Sequence, residues 1–160
     1  MYCCERFLHS NFTRARTVGN AVILAFCVAT GIAIVALTAF GTARAYAQLP
    51  NRVPMHFAFD GAVNGYGPRP MVWSIVAVQV LIGVSFGNVV AGFAGPPLPG
   101  HYAAAMAAFG DLILLLLARA QKLIIETALS GKTRADLRSF WAFFCVTMLS
   151  AVLFARIVGR

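Results

Sequence analysis

LPNRVPMHFAFDGAVNGYGPR, residues 49–69, is the longest polar and turn-forming interval in the chain, and apolar runs lie on both sides of it. Pro50 and Pro54 bias the residues before them toward extended backbone, while Val53, Met55, Phe57 and Phe59 alternate with polar or small residues. That spacing predicts an extended, strand-like segment. Asp60-Gly61 and Asn64-Gly65 are turn pairs, and Gly67, Pro68 and Pro70 hold off a helix until Met71. Tyr66 and Trp73 fit an aromatic belt where the chain re-enters the bilayer. The interval therefore reads as a loop that helices fix at a membrane surface.

Working outward, Ala21 to Phe40 carries no charged residue and is long enough to span hydrocarbon at ~1.5 Å per residue. Comparable runs follow, giving expected spans at about 18–43, 71–94, 102–129 and 140–158, with the loop at 44–70. The expected fold is an all-α membrane protein, a four-transmembrane-helix bundle with an ordered proline- and glycine-rich loop between helices 1 and 2. No low-complexity tract divides the chain, so residues 1–160 read as one integral membrane domain. Composition agrees: 60% hydrophobic residues, 11% charged residues and a mean hydropathy of +0.79 lie far from a soluble domain. Small residues at every fourth position mark close-packing seams. They are Ala21, Ala25, Ala29 and Ala33 in the first span, Gly83, Gly87, Ala91 and Gly95 beside Gln79 in the second, and Thr147, Ala151, Ala155 and Gly159 in the fourth. Thr42 to Ala47 also has the small-x-small form of a signal-peptide cleavage site. The apolar core before it exceeds the ~7–15 residues of a signal segment, which favours a retained first span.

The net charge of +8 is spread over short flanks between apolar runs and forms no single basic face, so anionic headgroups are the expected partner and nucleic acid is not. Orientation evidence conflicts. Five basic residues fall on the side of the termini and eight on the side of the 44–70 loop, which favours a cytoplasmic loop. The first span and the resemblance described below favour cytoplasmic termini and an extracytoplasmic loop, the orientation adopted. A single crossing separates His56 from His9 and another separates it from His101, so both lie across the membrane from His56 and neither can share a metal with it. Cys3, Cys4, Cys27 and Cys145 form no CxxC pair. Ser130 to Thr133 resembles the end of a phosphate loop, but the required first glycine would be Glu126. No metal, cofactor or nucleophile elbow is expected.

Inside the spans, Asp111 stands near the bilayer midplane on the stripe Ala103, Ala107, Asp111. A carboxyl at that depth usually faces the bundle and finds a partner. Gln79 and Asn88 of the second span are the expected ones, with an ion path as the alternative. Arg119, Lys122 and Glu126 near the end of the third span read as snorkelling interface residues on the same side as the loop, so that contact with it is geometrically allowed. His56 is expected to order the loop by giving a ring N–H to Asp60 or to a backbone carbonyl. A binding role would use the same geometry, with Arg52 and Arg69 adding positive charge.

Leu49-Pro50, Val53-Pro54, His56-Phe57, Gly61, Asn64-Gly65-Tyr66-Gly67 and Arg69 together resemble the signature loop of a widespread bacterial membrane domain of unknown function, also found in SdpI-type toxin-immunity proteins. Weaker similarity continues through Leu98-Pro99-Gly100 and Ala128 to Gly131. Asn64 stands where members often have Asp, and the longer immunity proteins have further spans. The resemblance implies a bacterial cytoplasmic-membrane location and, more distantly, immunity or signalling. The expected function is a small non-enzymatic multi-pass membrane protein acting in immunity, sensing or partner assembly through residues 49–69. Its expected partners are the bilayer, a membrane protein or peptide, and further copies of itself. The alternatives are a transporter or channel component using Asp111, or a membrane enzyme using His56.

Overall fold

The computed structural model describes the backbone of residues 2–90 and 100–158 and the side chains of residues 21–90 and 102–156. The chain runs through α1 (Tyr2–Tyr46), β1 (Arg52–Phe57), β2 (Val63–Pro68), a 3-10 turn (Arg69–Val72), α2 (Trp73–Val90), α3 (Gly100–Ser130) and α4 (Arg138–Val158). Four helices are long and apolar enough to cross a membrane, at Ala21–Tyr46, Arg69–Val90, Tyr102–Ser130 and Arg138–Arg156. Helices of spanning length and apolarity thus stand where the four spans are expected. The Gly95 to His101 break, the paired Cys3 and Cys4, and His9 lie outside the residues whose side chains are described.

The fold is not purely helical. The loop holds an antiparallel hairpin in which Val53 faces Gly67 and Pro54 faces Tyr66. Beyond Pro54 the register shifts, with Met55 unpaired on β1 and Asn64 unpaired on β2. Pro54 has no N–H to give a ladder, and a bulge beside it is where a strand tolerates that loss. The all-α expectation fails here because period-2 alternation in a short segment survives between helices when its apolar face has something to cover. That cover is a small core of Leu49, Val53, Val72 and Ile124, with Met55, Phe57, Ile75 and Ile125 packed against it.

The packing seam of α1 differs from the alanine ladder. Ala21, Ala25, Ala29 and Ala33 are all exposed, and the buried stripe is Cys27, Gly31, Ile34 and Thr42. Both stripes have helical spacing, so small residues alone do not choose the face. The choice follows α3, whose buried positions Ala103, Ala107, Leu114, Gln121 and Ile124 run along the α1 and α2 side. Gln121 Nε2 donates to Thr42 Oγ1 at 2.9 Å and to the Val72 carbonyl at 3.1 Å, joining three segments through one amide. In hydrocarbon such a bond is worth ~0.6–2 kcal/mol, because its loss strands a polar group without water.

Candidate functional site

The hairpin end is built by matching donors to acceptors. The Ala58 N–H donates to the Ala62 carbonyl at 2.7 Å and the Gly61 N–H to the Ala58 carbonyl at 2.9 Å, closing the turn at its tip. Gly61 has φ +86°, and a Cβ there would run into the Ala135 carbonyl oxygen, so both backbone conformation and space require glycine. The tip is clasped by the connection between α3 and α4. The Val63 N–H donates to the Thr133 carbonyl and the Ala135 N–H to the Gly61 carbonyl, each at 2.9 Å. Arg134 reaches the Asp60 carboxylate at 2.6 Å. The Asp60 carboxyl is held below the usual carboxylate range, first by the Ala62 N–H that it accepts at 3.1 Å and then by the Arg134 guanidinium.

This clasp changes the reading of His56. Asp60 faces Arg134 instead of the imidazole, and His56 has no hydrogen-bond or ion-pair partner among the described residues. Its ring lies against Gly65, where a Cβ would sit 2.8 Å from His56 Cδ2. The register shift pairs His56 with Gly65, and it is Arg134 that takes the Asp60 carboxylate. Gly67 is similarly tight, since a Cβ would stand 2.7 Å from Met71 Sδ.

The other loop residues divide into an anchored set and an outward set. Leu49, Pro54, Phe57, Gly61 and Gly67 are buried or half-buried. Arg69 is held by its N–H, which donates to the Asn51 carbonyl at 3.0 Å, and by its guanidinium, 4.8 Å from the centre of the Tyr46 ring. It is therefore spent on structure and does not stand beside His56 as free charge. Pro50, Arg52, His56 and Asn64 are exposed, as are Tyr66 at 57% and Phe59 at 82%. Phe59 leans on Trp141 of α4, with ring centres 4.4 Å apart.

The interface cluster does not act as one group. Arg119 donates to Ser139 Oγ and ties α3 to α4, whereas Lys122 and Glu126 form an exposed pair at 3.5 Å. The α3 residues that do reach the loop are apolar, Ile124 foremost. Sequence reasoning passed over Arg134 and Trp141. Arg134 had no visible partner because Asp60 is 74 positions away.

In the bundle, Asp111 lies on the expected face of α3 but meets neither expected partner. Gln79 Nε2 donates to the Leu114 carbonyl at 3.0 Å, and Asn88 is exposed. Phe86 packs on Gly110, at the level of Asp111, which leaves Gln79 about 10 Å further along α2 at ~1.5 Å per residue. The neighbour of Asp111 is Gly31, where a Cβ would sit 2.8 Å from its Oδ1. No group of three His, Cys, Asp or Glu side chains among the described residues could hold a metal ion.

Fold and site define a class, a multi-helix membrane protein with an ordered hairpin seated on its helix ends. The family described as Domain of unknown function (DUF1648) matches residues 33–80, which comprise the second half of the first span, the whole hairpin and the start of α2. The chain is similar to that family over this segment. Comparison with curated proteins and with solved structures gave no match.

Proposed function

We propose that this protein is a non-catalytic component of the bacterial cytoplasmic membrane that recognises a membrane protein or peptide with the outward face of its 49–69 hairpin. Immunity of the SdpI type, sensing and complex assembly are the processes that fit such a role. One observation carries the reading: the inner face of the hairpin is anchored in the core of Leu49, Val53, Val72 and Ile124, while His56, Phe59 and Tyr66 are left outward. Rigid loops that display aromatic and titratable side chains are where binding residues concentrate, because little ordering entropy remains to be lost. The orientation that belongs to this reading has both termini in the cytoplasm and the hairpin outside.

A photo-reactive amino acid placed at Tyr66 in living cells is expected to crosslink to a discrete protein or peptide. His56→Ala is expected to abolish that crosslink while protein level, thermal stability and protease resistance of the hairpin stay unchanged. Crosslinks to lipid alone, or a crosslink indifferent to His56→Ala, would overturn the reading. A cysteine at Asn51 that an impermeant reagent cannot label from outside, with one at Ser10 that it can, would reverse the orientation.

A further inference from the structure

Between α1, α2 and α3 lies a cavity of 370 Å³, distinct from the hairpin. That volume is in the range of sites for small molecules, ~300–1,000 Å³. Its walls include Gly31, Val35, Gly83, Phe86 and Gly110, and the heteroatoms among its lining side chains are the Asp111 carboxyl and the Cys27 sulfur. The cavity opens on the outer surface of the bundle, where Val28, Ile32, Val80 and Val84 of its lining are exposed. A Cβ at Gly83 or Gly87 would meet nothing within 4 Å, so both positions face open space.

The Asp111 carboxyl has no hydrogen-bond or ion-pair partner among the described residues. The donor among the lining side chains is the weak Cys27 S–H, which brings no positive charge. A carboxylate without a counter-charge at this depth is costly, and an anionic or purely apolar occupant would leave that cost in place. A protonated amine would offset it, supplying both the charge and the N–H groups.

We propose that the α1–α2–α3 cavity is a binding site for lipophilic amines, with the ammonium group on Asp111 and the apolar body against Val35, Val80 and Phe86. The proposal is independent of the hairpin's partner, because no residue of 49–69 lines the cavity.

The test uses the full chain in neutral detergent micelles at pH 7, with adamantylamine as probe and its neutral counterpart adamantanol as control. Saturable binding of the amine, at least about tenfold tighter than the alcohol, is expected for the unaltered protein. Asp111→Asn should remove the preference and leave the two probes equal. Gly83→Leu, whose side chain would grow into the cavity while Asp111 is retained, should weaken both probes at least about tenfold without loss of helicity or thermal stability. Equal binding of amine and alcohol to the unaltered protein, or no saturable binding, would overturn the proposal. If Asp111→Asn does not fold, Gly83→Leu decides alone, and amine binding as tight as in the unaltered protein would overturn the site.

Discussion

The hairpin end and the cavity level of the same bundle satisfy their polar groups in opposite ways. At the hairpin, Asp60, Gly61, Val63, Arg69, Thr133 and Ala135 each find a partner, and apolar side chains close the space beneath. Along the helices from the hairpin toward the cavity, the buried amides Gln121 and Gln79 each carry an unpartnered oxygen, and Asp111 has no hydrogen-bond or ion-pair partner among the described residues. Native interiors rarely leave such groups unmatched, so the contrast separates a part shaped for rigidity from a part shaped to hold space.

The contrast breaks most readily at Leu49. Truncation to alanine removes a fully packed side chain from a small core, and Leu49→Ala is expected to cost about 2–5 kcal/mol, read as a lower unfolding temperature in micelles and faster cleavage between Arg52 and Pro68. An unchanged cleavage rate would mean that the hairpin is held by its hydrogen bonds and not by this core. Gly61→Val is expected to cost about 1–3 kcal/mol, since it forces a β-branched residue into positive φ and against Ala135. Its signature is loss of protection at the tip with the helices still folded.

A smaller effect comes from Asp60. Its folded-state pKa is depressed, so its contribution is complete above the ordinary aspartate value of about 4 and is lost as pH falls below that toward the depressed value. Protease resistance of the tip should therefore weaken on acidification below about pH 4, and Asp60→Asn should remove that pH step. At the cavity level the expected cost is smallest: Asp111→Leu exchanges an unmatched carboxyl for an apolar group of similar size and should leave the unfolding temperature equal or higher. A marked fall would show that Asp111 has a structural partner after all.

Much of this arrangement was legible in the sequence, and the illegible parts share a cause. The four spans follow from apolar length, and the inward face of Val53, Met55 and Phe57 follows from alternation, because both signals are local. The hairpin pairing itself was half visible: turn pairs at Asp60-Gly61 and Asn64-Gly65 marked bends, but the register shift at Met55 and Asn64 depends on which face finds the α3 core. Local spacing also offered two seams on α1. The alanine ladder was the more regular of them, yet Cys27, Gly31, Ile34 and Thr42 are buried, because α3 decides the face and α1 alone does not. Partners of single polar residues were the least readable. Asp60 had a histidine nearby in sequence and bound a distant arginine, and Asp111 had two amides within reach on paper and met a glycine.

The clasp between Asp60 and Arg134 also sets an order of events during synthesis. At ~5–20 residues per second, the 74 positions between them take about 4 to 15 s to make. For that interval the hairpin tip has neither its ion pair nor the backbone bonds to Thr133 and Ala135, and the core beneath it lacks Ile124. The early-made surface of the protein is therefore finished by late-made chain, so a newly inserted molecule presents a complete outward face only after its third helix and the following turn have arrived.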